Sequence, residues 1–393
     1  MPVIAMMRRQ TLGWLFLPFS ASLVAANGMD SSTTESVDRR PAVDETPVVE
    51  VAALPSLREL IARLADRRVV FVGERHDRYE DHLNQLEVIE GLHRNGKDLA
   101  IGMEAFQQPF QGYLDDYVAG RISEEEMLRR TEYFTRWRYD YRLYRPILRF
   151  ARAQGIPIIA LNLASELTEK VGDVGLDGLS QAERARLPSR IDRQDPAYRA
   201  RLAAAFEAHP MLKESKDFEH FLEVQLLWDE GMAERAAAYL QEYPRKSLVV
   251  LAGTGHLEYG QGIPQRLLAR VPTTAATLIN GRDRPLSQGL ADFLLYPPEV
   301  ALPRAGLLGV MIDEERGGVG VAVKAFAEVS GAKTAGIQES DRIVRVADVA
   351  VKTYSDLRIA LIDKDAGTTV PVDVVRDRLL GGSERLTFEV TLH

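Results

Sequence analysis

Two short stretches of this 393-residue chain end in the same way. Val69 to Val72 run apolar into Gly73-Glu74-Arg75-His76, and Leu248 to Ala252 run apolar into Gly253-Thr254-Gly255-His256. A short Val-rich run closed by glycine has the character of a strand buried in a parallel sheet, which puts each histidine just past a strand's carboxyl end. Open α/β sheets keep their ligand sites at that edge. Leu99 to Met103 lead likewise to Glu104, and Ile156 to Leu161 lead to Asn162, so four strand ends present a polar group.

Glu74, His76, Glu104 and His256 together suit two kinds of chemistry. Glu74, His76 and His256 offer the mixed nitrogen and oxygen donors that zinc or manganese takes. Without a metal, all four could serve as an acid/base set around a water. Glu104 has a plainer reading as a cap of the next helix, where negative charge is stabilising. His82 shares helical spacing with Gln85, Leu86 and Ile89 and reads as a satisfied helix residue, while Asp229 and Glu230 beside Trp228 read as support for the site.

The elements that must position these groups follow from periodicity. Leu57, Leu60, Ile61 and Leu64 line one helical face before the first strand, and Leu83, Leu86, Ile89 and Leu92 line another after it, stopped by Asn95-Gly96. From Gln107 to Ala153 the pattern is helical, a long insertion between two strands. Its second half interleaves Arg129, Arg130, Arg136, Arg138, Arg142, Arg145, Arg149 and Arg152 with Tyr133, Phe134, Trp137, Tyr139, Tyr141, Tyr144 and Phe150. Rings for stacking and cations for acids suit a flat, anionic, aromatic ligand. The plainer reading is a surface helix whose arginines pair with local acids over an ordinary aromatic core. A polar helical excursion follows over 166–211, then a helix over 217–243, the strand 247–251 and a last strand over 272–279. The final ninety residues alternate short Val-rich runs with turns, as a small, mainly β domain does.

Composition narrows the class. A net charge of −8 argues against a nucleic-acid partner, and the absence of cysteine rules out disulfides, thiolate metal sites and a lipid-modified N-terminal cysteine. Arg8-Arg9 precede an apolar run from Thr11 to Ala26 that closes on Val24-Ala25-Ala26, the form of an export signal cut near Ala26. This predicts a periplasmic or secreted protein, or a membrane-associated one if the segment is not cleaved. Residues 27–53 have the composition of a disordered linker, and the expected domains are 54–285 and 305–393, joined by a linker over 286–304.

Leu307-Leu308-Gly309-Val310, Gly331 to Ile343 and Tyr354 to Leu361 resemble, in order and spacing, a PDZ domain of the bacterial periplasmic-protease type. Ser340 stands where that family usually has glycine, and Ala347-Asp348 replaces its usual Asn-Gly hairpin. The resemblance implies that Leu308, Gly309, Val310 and Leu357 line a groove for a protein C-terminus or extended peptide.

The larger domain resembles the ChaN-like family of haem-binding uptake proteins through Gly73-Glu74-Arg75-His76, His82 with Gln85, Gly102-Met103-Glu104 with Gln108, Tyr144-Arg145-Pro146, Trp228 to Ala233, and Gly253-Thr254-Gly255-His256 with Gly262-Ile263-Pro264. That family is similar in turn to the erythromycin esterase and Tiki/TraB group. The resemblance implies haem as cofactor or cargo and a role in iron uptake. A haem iron takes imidazole or phenolate ligands while arginines hold its propionates, so His76, His256, Tyr144 and Arg145 are the cofactor-binding candidates. The expected fold is a mostly parallel α/β sheet with flanking helices and a helical insertion, plus the PDZ domain. The leading expected function is exported haem handling with a recruited partner. Hydrolysis and an envelope scaffold are the alternatives, and a homodimer sandwiching the ligand is left open.

Overall fold

The computed structural model describes residues 48–209, 217–313, 316, 318–378 and 381–393. The expected export signal and most of the linker after it lie outside the described residues. Among the described residues no helix is long and apolar enough to cross a membrane. By contact the described residues divide into two compact units, one built on 48–76 with 80–109 and 157–298, the other on 77–79, 110–156 and 299–393.

The first unit is built on six strands: β1 (Val69–Glu74), β2 (Leu99–Gln107), β3 (Ile158–Asn162), β4 (Ser247–Gly253), β5 (Ala275–Asn280) and β6 (Phe293–Leu295). They pair in the order β3-β2-β4-β1-β5-β6, every pair parallel. β1 to β4 are buried throughout, which explains why their sequences are continuously apolar rather than alternating. β2 runs through Glu104 to Gln107, past the end that Met103 suggests, with a register irregularity between Met103 and Gln107. β6 is a three-residue strand inside the span expected as linker, too short to leave a periodic signal.

The helix Phe218–Glu242 is capped by Asp217, which accepts from the N–H groups of Glu219 and His220. It buries Val224, Leu227, Trp228, Met232 and Ala236 against Phe71, Leu161 and Val250 of the sheet. Each such large apolar side chain contributes roughly 1.5–3 kcal/mol on burial. Gly231 allows the close approach, since a Cβ there would lie 2.6 Å from Leu163 Cγ.

The second unit holds β7 (Val310–Asp313), β8 (Val321–Phe326), β9 (Arg342–Val346), β10 (Val349–Ala350), β11 (Thr369–Asp377) and β12 (Ser383–Thr391). They form an antiparallel sheet in the order β12-β11-β9-β8-β7, with β10 beside β9. The helix Tyr354–Leu361 is closed by a capping box between Thr353 and Asp356. Ser340 (φ 71°), where the family usually has glycine, and Ala347 (φ 51°), the first residue of the pair that replaces its Asn-Gly hairpin, both hold left-handed conformations. The turns keep their shape at a steric cost.

The insertion packs with the helix Tyr354–Leu361 of this unit. Tyr133 meets Tyr141 edge-on at 5.3 Å between ring centroids and Phe134 at 5.4 Å, and Trp137 meets Tyr144 at 6.2 Å. Around this aromatic core the arginines are paired: Arg145 with Glu124 at 2.6 Å and with Asp363, Arg149 with Glu124 at 2.9 Å, Arg142 with Asp140 at 2.7 Å, and Arg129 with Asp356 at 2.7 Å. Arg358 of the helix Tyr354–Leu361 lies 5.3 Å over the ring of Phe134.

Candidate functional site

β2, β4 and β1 are side by side because β4 enters the sheet between two strands that precede it in sequence. Register sets Glu74 opposite Gly253 and Met103 opposite Leu251. Three neighbouring strands therefore carry Glu104, the Gly253–His256 turn and the Glu74–His76 turn to one end of the sheet.

Glu74 is buried, with Oε1 2.8 Å from His76 Nδ1 and Oε2 3.0 Å from His82 Nδ1. His82 Nδ1 also lies 3.2 Å from Gln85 Oε1, and its Nε2 lies 3.2 Å from the His76 carbonyl. Gln85 donates from Nε2 to the Val72 carbonyl at 3.1 Å, which fixes its oxygen toward His82. Both nitrogens of His82 thus face acceptors, so both carry protons. Burial opposes that charge, but Glu74 outweighs it and holds the imidazole above its ordinary pKa. Burial likewise works against the Glu74 carboxylate, and His82 and His76 hold its pKa well below the usual range regardless. The sequence reading of His82 as a satisfied helix residue misses that it is the counter-charge of Glu74. The one signal for it was its spacing of three from Gln85.

His256 is gripped twice. Its Nδ1 is 2.6 Å from Asp229 Oδ1 and its Nε2 is 3.4 Å from Glu104 Oε1. Burial would lower its pKa, but the two carboxylates raise it to about 10. Asp229 Oδ2 accepts from the Tyr198 hydroxyl at 2.5 Å, and Glu104 Oε2 accepts from the Gly253 N–H at 2.6 Å. Glu104 is buried, which disfavours its charge, yet His256 and His76 hold it below the ordinary carboxylate range. Trp228 packs edge-on to His256 at 6.2 Å.

The two clusters meet at Gly253. A Cβ on that residue would lie 3.0 Å from His76 Nε2 and 3.5 Å from Glu104 Oε2. With Nδ1 held by Glu74, His76 turns its Nε2 edge toward Gly253. Thr254 Oγ1 donates to the Glu74 carbonyl at 3.1 Å and Asn162 Nδ2 to the Glu104 carbonyl at 3.3 Å, so the fourth strand end braces the third. Glu230 stands apart, paired with Arg266 at 3.2 Å and Arg270 at 2.7 Å and accepting from the Asp192 N–H at 2.8 Å. It ties the excursion to the helix Phe218–Glu242 while Asp229 serves the site. Tyr198, Arg201 and Arg284, drawn in from the excursion and the loop after β5, carried no sequence pattern.

Among the described residues no group of three or more His, Cys, Asp or Glu side chains is placed to hold a metal ion. Glu74 is engaged by two imidazoles, and Asp229 and Glu104 are engaged by His256. A haem iron asks less of a protein, since the porphyrin supplies four donors and one or two side chains complete the set.

In the second unit, Tyr144 is buried in the aromatic core and Arg145 is held between Glu124 and Asp363. Gly309 has φ +73°, and a Cβ on it would meet Val329 O and Ser330 Cα at 2.6 Å, so only glycine fits. Leu308 and Leu357 are buried in the small core, and Val310 opens β7, the last strand of its sheet. An edge strand of this kind can accept an extended peptide as a further strand.

Residues 60–267 match the family model described as haem-binding uptake, Tiki superfamily, ChaN, and residues 306–392 match that of the PDZ domain. Among solved structures, ChaN of Campylobacter jejuni with cofacially bound haem is similar with a TM-score of 0.50 at 17% identity, over 62% of this chain and 93% of that one. A mutant of the erythromycin esterase EreC in its open conformation is similar with a TM-score of 0.35 at 15% identity, over 56% of this chain and 72% of that one. A curated relative, the chloroplastic protein RETICULATA-RELATED 5 of Arabidopsis thaliana, is 21% identical over 55% of this chain. The match spans about a third of that relative's length, 31%.

Proposed function

Because this chain belongs to the haem-binding uptake family of ChaN, we propose that its first unit binds haem as cargo, that it does so outside the cytoplasm, and that its PDZ domain recruits a protein partner. The observation that carries the reading is the Glu74–His76 pair. A buried carboxylate that takes Nδ1–H orients an imidazole and raises the basicity of Nε2, the arrangement that metal-ligating histidines need. His76 is therefore the proposed iron ligand. His256, fixed as an imidazolium between two carboxylates, would first have to lose a proton. Tyr144 lies buried, edge-on to Trp137, in the aromatic core of the other unit. Bound haem supplies the iron and the macrocycle, while the protein's part is to ligate, orient and shield it. Export rests on the run from Arg8 to Ala26, and partner recruitment on the edge position of β7.

The test is a hemin titration into protein beginning at Asn27, read in the Soret region. A saturable shift that His76→Ala abolishes, and that Tyr144→Phe and His256→Ala leave in place, supports the assignment. No shift in the parent protein ends it.

One observation favours a second reading, a metal-free acid/base hydrolase. The Nε2 edge of His76 and a protonated His256 flank Gly253 and Glu104, which is the placement of base and acid that hydrolysis uses. Turnover of ester or peptide substrates that vanishes in Glu74→Gln would establish it, and inactivity across a broad panel would exclude it.

A further inference from the structure

Three guanidinium groups gather beside the two histidines. Arg75, the neighbour of His76, reaches Asp283 at 3.1 Å and the Arg282 carbonyl at 2.8 Å. Arg201, from the helix Pro196–Glu207, donates Nη1 to the carbonyl of Gly255, the neighbour of His256, at 3.0 Å and Nε to Gln261 at 3.1 Å. Arg284 pairs with Glu258, which also lies 3.7 Å from Arg201. The three side chains are only 9%, 14% and 13% exposed.

Glu258 is shared between two arginines, and Asp283, the partner of Arg75, is 61% exposed. The Asp81 carboxylate is already taken up by Asn280 and the Arg75 N–H. Burial, and after it the charges of Arg75 and Arg201, push Arg284 down to about 10, with Asp81 acting the other way. Arg201 Nη2 is buried without a hydrogen-bond partner. Like charges held together at low exposure repel, and an unsatisfied buried donor is costly. An anion between the three groups would remove both costs.

We propose that Arg75, Arg201 and Arg284 form a cradle for a carboxylate of the ligand that sits between His76 and His256. This rests on the haem reading only for the source of the carboxylate, which would be a propionate. A hydrolase would present instead the carboxylate of a peptide terminus or an acyl product. The recognising chemistry, guanidinium N–H groups converging on a planar anion, is the same.

Two arms of one experiment separate the sources. In the first, hemin and hemin dimethyl ester are titrated into the parent protein, Arg201→Met and Arg284→Met. The cradle predicts that the parent prefers hemin by about tenfold or more and that the preference collapses in both variants. In the second, acetate is titrated in the absence of haem and the melting temperature followed. The parent should rise saturably with acetate, while Arg284→Met should stay flat. If hemin does not bind but the acetate response is present and lost in Arg284→Met, the haem reading falls and the cradle stands for another carboxylate. If hemin and its diester bind alike and acetate stabilises neither protein, or if Arg284→Met responds to acetate as the parent does, the cradle is overturned.

Discussion

Asp229 and Glu104 hold His256 from opposite edges of its ring, one at 2.6 Å from Nδ1 and the other at 3.4 Å from Nε2. One carboxylate comes from the helix Phe218–Glu242 and the other from β2, so the imidazolium is the pin that joins the helix layer to the sheet at the site.

Asp229→Asn should cost about 3 kcal/mol in a urea melt at pH 7, because it leaves a buried cation with one partner. The parent's pH dependence has a definite sign. His256 titrates near 6.5 when unfolded and near 10 when folded, so its contribution is complete below pH 6.5 and is lost as pH rises toward 10. The parent should therefore lose more stability than Asp229→Asn across that window. Equal losses would mean that the pair is not ionised as described.

Gly253→Ala should perturb the site more than its one added methyl suggests. The new Cβ would fall 2.9 Å from His76 Cε1 and 3.5 Å from Glu104 Oε2, with both side chains anchored. A loss of about 1–3 kcal/mol is expected from overpacking, together with a shifted imidazole resonance for His76 in the NMR spectrum. An unchanged His76 resonance would show that the two clusters do not share this space.

In the PDZ domain, replacing Ala347 by glycine should stabilise. Relief of a left-handed alanine is worth about 1–2 kcal/mol, against about 0.5–1 kcal/mol for glycine's added backbone freedom. Ser340→Gly should act alike, and thermal melts of the single and double variants would check both. A lower melting temperature in the double variant would contradict the strain.

Acid should loosen the second unit selectively. Asp356 is partly screened from water, which raises its pKa, but Arg129 and the N–H groups of Lys352 and Thr353 pull it below the ordinary value; Arg145 does the same for Asp363. Carboxyls with depressed folded pKa values contribute stability above their unfolded pKa, near 3.8, and lose it as pH falls through the folded value. Hydrogen exchange in the helix Tyr354–Leu361 should therefore accelerate below about pH 4, and Asp356→Asn should show that fast exchange already at neutral pH.

The sequence showed the site's axis better than its depth. Glu74, His76, Glu104 and His256 stood out because buried parallel strands are uniformly apolar, so a polar residue at their ends is conspicuous. That they meet depends on β4 entering between β2 and β1, an order that no local pattern states. Tyr198, Arg201 and Arg284 arrive from excursions where periodicity says nothing about the sheet they reach. The arginines and rings of the insertion fit two roles by composition alone. Contact shows them building a core with paired charges, and their partners Asp356 and Asp363 lie far along the chain, in the PDZ domain.

That last separation bears on how the chain can be taken apart. The insertion leaves the first sheet after β2 and returns to it before β3, yet Arg129 and Arg145 are neutralised by residues of the PDZ domain. Trimming the chain at Ala305 would strand these cations on the remaining part and free acids on the excised one, so neither fragment is a fair stand-in for its role in the whole. A knockout of the peptide groove is cleaner by point substitution, at Val310 on the edge strand β7 for example, than by deletion. In inheritance, too, the PDZ domain and the insertion would be expected to change together, since a swap of either must bring the other's charges with it.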